Sequence, residues 1–199
     1  MSTGKFNNQQ VLDDAGERFA QLARMGEQLF HAHDLGILWG ITNKNTLYTT
    51  LKRYVQRKLL YRVYKGLYSL VPFEKIDPVL LGVKALHTYC YVSTETVLAR
   101  AGIIMQHLPS ITYVSSVSRR FTIREHSFIS RKFADRFLYN PAGIEDCRDL
   151  PTASAERAVA DLMYVNPRAY FDNQKAVDWD AVRALQREIG YPVSLPNRL

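Results

Sequence analysis

Apolar and polar positions alternate along this chain with a period that changes several times, and each change predicts an element. From Asp13 the apolar residues Ala15, Phe19, Leu22 and Ala23 recur at helical spacing, and Met25-Gly26 closes the run. A second short helix is expected from His33 to Leu38, burying Leu35 and Leu38, with Gly40 as its stop. Thr42-Asn43 then offers two N-cap residues for a third helix over Lys44 to Lys58. Its inward stripe is Leu47, Leu51, Tyr54 and Val55, the i, i+4, i+7, i+8 pattern of one buried face. The period then falls towards two. Leu59 to Tyr64 and Leu67 to Leu70 are aromatic-rich, with Lys65-Gly66 between them, and predict a β-hairpin that ends at Pro72.

Three helices followed by such a hairpin outline a winged helix-turn-helix, assigned to residues 1–73. A second unit over residues 74–199 follows without a Gly/Ser-rich linker. In it, Asp77 to Leu86 reads as helix and Tyr89 to Val92 as strand, and Ser93 is the expected cap of a helix through Arg100 that stops at Gly102. Ile111 to Val117 and Arg120 to Ile129 read as strands joined by Ser118-Arg119. A helix from Ser154 to Tyr164 buries Ala158, Val159, Leu162 and Met163, and Asp178 caps a last helix through Ile189, ended by Gly190. The expected class is therefore α+β, a winged helix-turn-helix followed by a mixed α/β C-terminal domain.

Composition narrows the field. Of 199 residues, 47% are hydrophobic, too many for a disordered chain. The apolar runs, Val79 to Val83 among them, are far too short to span a membrane, and the polar first ten residues do not read as a signal peptide. Two cysteines, Cys90 and Cys147, make no disulfide framework, so a cytoplasmic location is expected.

Charge changes the picture more. The net charge is +7, and it is clustered. Residues 35–73 hold seven basic side chains and no acid, and residues 115–140 hold six bases against Glu125 and Asp135. Clustering of this kind is the electrostatic footprint of a polyanion partner, whereas a solvated face mixes both signs. With the apolar stripe of the third helix turned inward, Asn45, Thr46, Thr49, Lys52, Arg53 and Gln56 face outward. Amides, hydroxyls and cations in that order suit double-stranded DNA. Asn45, Thr46 and Thr49 are nominated for base edges, Lys52 and Arg53 for phosphate or guanine, and Lys44 at the helix start as a further DNA contact. Arg62 and Lys65 on the hairpin suit a flanking phosphate. In the second island Arg120, Thr122 and Arg124 would share one strand face opposite Phe121 and Ile123. Arg119, Arg120 and Arg124 are there the candidate backbone contacts, with a plain basic solvent face as the alternative for residues 119–136.

Catalytic signatures are missing. There is no Gly-rich phosphate loop, and no Asp-x-Lys or Glu-x-Lys of the restriction-nuclease kind. His31 and His33 would diverge on a helix, and His87-x-x-Cys90 has no second ligand pair, so neither metal nor cofactor is expected. Arg157 and Asp161 read as a modest i, i+4 surface ion pair. No nucleophile–base–orienter set is evident, and no catalytic residue is assigned.

The run from Leu47 to Tyr68 resembles the recognition helix and wing of the AbiE-type (AbiEi) antitoxins and related bacterial regulators: the basic pair Arg57-Lys58, a strand over Leu59 to Tyr64, then Lys65-Gly66 and Tyr68. Lys58 stands where that family often has Gly. Tyr91 to Gly102, Ile111 to Arg120 and Ala155 to Leu162 are similar to its later elements. The resemblance implies a repressor that binds operator repeats in its own promoter with self-association on DNA, and that counters a nucleotidyltransferase-like toxin without a stable complex. A stand-alone regulator, a nuclease-like enzyme delivered by the winged domain, and a module docking an acidic protein are the competing readings.

Overall fold

The computed structural model describes residues 16–106, 109–147 and 150–194. The chain divides into two compact units between Asp77 and Pro78. The protein is mixed α+β throughout.

In the first unit residues 16–24 form helix α1; its expected start at Asp13, with Ala15, lies outside the described residues. Strand β1 (Leu29–His31) follows, then α2 (Ala32–Leu38), α3 (Lys44–Gln56), β2 (Tyr61–Tyr64) and β3 (Leu67–Ser69). The strands make one antiparallel sheet in the order β1-β3-β2. β1 is absent from the sequence reading. At three residues it is too short to display a period, and it exists because Leu29, Phe30 and His31 find Ser69, Tyr68 and Leu67 across the sheet. His31 is accordingly the last strand residue and not part of a helix. The core gathers Leu22, Phe30, Leu35, Trp39, Leu47, Leu51, Tyr54, Leu60 and Tyr68, with Trp39 stacked on Tyr54 at 5.3 Å. Leu38, expected inside, is exposed; Trp39 takes the inward place one residue later. A Cβ on Gly36 would lie 3.1 Å from the Leu47 side chain, so α2 and α3 approach closely there.

α3 begins on a side-chain cap. Asn43 Oδ1 accepts the main-chain N–H groups of Asn45 at 2.9 Å and Thr46 at 3.1 Å, two of the donors a helix start leaves open. It ends at Gln56, two residues before the expected Lys58, because Lys58 turns left-handed at φ 58°. Lys58 N–H donates to the Val55 carbonyl and Leu59 N–H to the Tyr54 carbonyl, both at 3.0 Å, which is the Schellman closure. Lys58 thus adopts the backbone that glycine adopts at lowest cost.

The second unit contains α4 (Pro78–Leu86), β4 (Cys90–Val92), α5 (Glu95–Arg100), β5 (Ser110–Ser115), β6 (Arg119–Ile123), β7 (His126–Lys132), α6 (Asp135–Leu138), β8 (Ile144–Cys147), β9 (Leu150–Ala153), α7 (Ala155–Val165) and α8 (Trp179–Ile189). Its six-stranded sheet has the order β6-β7-β5-β4-β9-β8. The single strand expected from Arg120 to Ile129 is two strands, folded back at Arg124-Glu125 with Arg124 at φ 50°; β7 then inserts parallel to β5. Neighbouring residues on β5 serve opposite faces, as a pleat requires. Thr112 bonds to Thr96 of α5 on one side, and Tyr113 donates to the Val79 carbonyl of α4 on the other. α4 comes so close that a Cβ on Gly82 would stand 2.2 Å from the Tyr113 hydroxyl and 2.7 Å from the Phe128 ring.

Helix α8 carries its expected cap, Asp178, and Ser154, the expected first residue of α7, is instead its N-cap. Ser93 does not cap α5: the N-cap is Thr94, at φ 54°, and the Ser93 hydroxyl donates instead to Asp161. The reading of Arg157 and Asp161 as a surface pair is overturned, since both side chains are wholly buried. Every residue from Arg157 to Met163 is buried, so α7 has no polar face there on which a charge could reach water. Arg157 Nε donates to Asp161 Oδ1 at 2.9 Å. Its Nη1 and Nη2 atoms donate to the carbonyls of Asn140, Ala142 and Phe137. Asp161 also accepts the hydroxyls of Tyr91, Ser93 and Tyr191. Burial, and then the Asp161 carboxylate, push the Tyr91 and Tyr191 phenols upward. Burial opposes the charged form of Arg157, but Asp161 and the two phenols outweigh it and hold the guanidinium above its ordinary value.

Candidate nucleic-acid interface

The candidate residues of the first unit lie on one helix and one hairpin. Lys44, Asn45, Thr46, Thr49, Lys52, Arg53 and Gln56 of α3 are all exposed, while Leu47, Leu51 and Tyr54 are buried, so the inward stripe and the outward set separate as the helical period dictates. Asn43 is spent on the cap, which pins the first turn of α3 and fixes where Asn45 and Thr46 project. No acid stands in that turn.

The chain leaves α3 through Arg57 and Lys58, both exposed, and enters β2. Arg62 is exposed on β2 and Lys65 at the hairpin tip, where Gly66 takes φ 71°. The tip is fastened: the Gly66 carbonyl accepts the Ala32 N–H at 2.7 Å, joining the hairpin to the start of α2. Arg62 faces Tyr68 across the sheet, and burial of that ring raises the phenol, with Arg62 partly offsetting the rise.

Sequence reasoning missed the apolar side of this surface. Ile37 of α2 is 69% exposed and Tyr48 of α3 is 43% exposed. They line an open cavity of about 620 Å³ together with Ile41, Thr42, Lys44 and Leu47. The signal available was Tyr48 itself, an aromatic one position away from the buried stripe.

The basic island of the second unit is divided among different tasks. Arg119 and Arg120 are exposed on β6 and point to opposite faces; the Arg119 guanidinium lies 4.8 Å from the centre of the Phe121 ring, and Phe121 stacks on Phe128. Arg124 sits in the turn beyond the strand, so the expected shared face of Arg120, Thr122 and Arg124 does not form. Arg131 is paired with Glu95 of α5, and Arg136 lies over the Phe137 ring at 4.5 Å.

Among the described residues no three His, Cys, Asp or Glu side chains gather into a metal-sized group. Cys90 is buried, which pushes its thiol up to about 12 and opposes the thiolate a zinc site needs. Among the described residues no helix is long and apolar enough to cross a membrane.

No family model and no curated protein matches the chain. The crystal structure of the RV2827C protein from Mycobacterium tuberculosis is similar over 90% of this chain and 72% of its own, with a TM-score of 0.52 and 13% identical residues. The two share a fold. Identity at that level carries no function across.

Proposed function

We propose that the first unit is a winged helix-turn-helix that binds double-stranded DNA sequence-specifically, and that the protein is a non-enzymatic transcriptional repressor. The observation that carries this is the exposed, acid-free side of α3, continuous through Arg57 and Lys58 with the β2–β3 hairpin. The helix order α1, α2, α3 and the sheet order β1-β3-β2 support the reading. In it α2 and α3 are the helix-turn-helix, α3 enters the major groove, and its first turns meet base edges. Asn45, Thr46 and Thr49 read bases from there. Lys44, Lys52 and Arg53 hold phosphate or guanine, and Arg62 and Lys65 follow the backbone on the flank. Arg119, Arg120 and Arg124 add contacts from the second unit.

Within the same reading the protein is the autoregulating antitoxin of a toxin–antitoxin pair, acting on operator repeats in its own promoter and countering a nucleotidyltransferase-like toxin without a stable complex. The sequence resemblance from Leu47 to Tyr68 supports this part, and co-expression with a neighbouring toxin reading frame tests it: growth is restored by this protein and not by an empty vector.

DNA binding is tested by the salt dependence of affinity for the gene's own upstream DNA. Each phosphate contact contributes about 0.9 to the slope of log K against log salt, so Lys52→Ala with Arg53→Ala lowers the slope by about 1.8 if both meet phosphate. Thr49→Val lowers discrimination against unrelated DNA and leaves the slope alone. An unchanged slope together with unchanged affinity in the first variant removes α3 from the interface.

A further inference from the structure

The sheet of the second unit ends on two strands of opposite charge. Among the described residues β6 is one edge and β8 the other. β6 reads Arg-Arg-Phe-Thr-Ile with Arg119, Arg120 and Thr122 exposed; β8 reads Ile-Glu-Asp-Cys with Glu145, Asp146 and Cys147 exposed. An edge strand offers unpaired main-chain N–H and C=O groups to any passing strand, and charge on an edge discourages such pairing. That protection works when like meets like. Here it fails for one encounter only, that of β6 with β8.

Strand direction permits the same encounter. β8 is antiparallel to β9, β9 parallel to β4, β4 antiparallel to β5, β5 parallel to β7, and β7 antiparallel to β6. β6 and β8 therefore run in opposite directions. A second copy set beyond β8 in the same orientation presents its β6 antiparallel to it. On β6 the main-chain groups are also positioned for it. Ile123 and His126 close the two-residue loop, so Arg119, Phe121 and Ile123 bond inward to β7 while Arg120 and Thr122 direct their N–H and C=O groups outward.

We propose that copies of this chain associate edge to edge, β8 of one against β6 of the next, so that the sheet continues across the contact. The alternatives are disfavoured by charge: a β6–β6 seam gathers four arginines and a β8–β8 seam four carboxylates. The contact is heterologous, and it extends into open chains unless its rotation closes a ring.

Sedimentation velocity of the full chain without DNA tests this. The weight-average sedimentation coefficient rises with concentration at low salt and returns to the monomer value at high salt. The pair Arg119→Glu with Arg120→Glu makes both edges acidic, and the pair Glu145→Arg with Asp146→Arg makes both basic; each variant alone is monomeric. Their equimolar mixture associates again, because every edge then has an opposite to meet, and two misfolded variants would not regain a salt-sensitive assembly. Thr122→Pro removes one outward N–H without touching charge and weakens association. A wild-type chain that stays monomeric at low salt overturns the proposal. So does association that survives both charge variants, or a mixture of the two that stays monomeric. No DNA is present, so the outcome is separate from that of the salt-slope experiment.

Discussion

Asp161→Asn preserves the shape of the buried cluster in the second unit and removes its negative charge. Asp161 accepts Arg157 Nε at 2.9 Å and the Tyr191 hydroxyl at 2.8 Å on one oxygen, and the hydroxyls of Ser93 at 2.7 Å and Tyr91 at 3.1 Å on the other. The amide nitrogen of Asn cannot accept, so at least one of these bonds is lost, and the Arg157 guanidinium is left a buried cation with only carbonyls and a phenol around it. Breaking one side of a buried ion pair costs about 3–5 kcal/mol, a large part of the roughly 5–15 kcal/mol that holds a domain folded. Arg157→Met costs about as much, for it strands the carboxylate instead. The double variant Arg157→Met with Asp161→Leu, set against its own singles Arg157→Met and Asp161→Leu, decides how the cluster works. An isolated ion pair replaced by apolar side chains is often neutral in stability. Here the replacement also strips partners from the carbonyls of Asn140 and Ala142 and from three hydroxyls, each worth about 1–3 kcal/mol when left unmade and unrelaxed, while the Phe137 carbonyl keeps the Asn140 N–H. The double variant should therefore still lose stability, though less than its two singles together, because neither charge is then left buried alone. Trp39 lies in the first unit and Trp179 in the second, so urea unfolding followed by fluorescence in a Trp39→Phe background reports on the second unit. A single variant costing under about 1 kcal/mol, or a double equal to the sum of the singles, refutes the account of a closed and mutually dependent network.

Three further outcomes follow from particular residues. Lys58→Gly relieves a left-handed lysine at the end of α3 and should stabilise the first unit by about 1 kcal/mol, read as a higher urea midpoint; a loss of stability means that the Lys58 side chain holds something of greater worth. Gly82→Ala drives a methyl into the Tyr113 hydroxyl and the Phe128 ring and should cost about 1–3 kcal/mol, seen as a lower melting temperature of the second unit. Stability should fall above about pH 10: unfolded phenols release protons that buried Tyr91 and Tyr191 still hold, so the unfolded state binds fewer, at about 1.4 kcal/mol per pH unit for each tyrosine. The Cys90 thiol, pushed up to about 12 by burial, acts in the same direction. Tyr191→Phe should shallow that alkaline slope, and a slope equal to wild type would place the lost protons elsewhere.

What the sequence determined by itself was local. The helical spans α2, α3, α4, α7 and α8, the β2–β3 hairpin and the outward set on α3 all follow from periods and punctuation within some fifteen consecutive residues, where side-chain geometry repeats and a cap such as Asn43, Ser154 or Asp178 marks the start. The sequence was silent wherever a distant partner does the specifying. β1 is three residues long and owes its conformation to β3. β7 enters the sheet beside β5 rather than continuing β6, because Arg124-Glu125 turns the chain, and neither residue announces a turn as Asn-Gly would. Arg131, one of six bases in the second island, meets Glu95 thirty-six positions away. Arg157 and Asp161 carry the spacing of a surface pair, and only the packing of α7 on all sides turns them into a buried knot. Charge clustering is a property of sequence, but whether a cluster faces a partner, closes an ion pair or lines a sheet edge is settled by which strands lie beside it, and that choice is made by contacts too far apart in the chain for any local pattern to record.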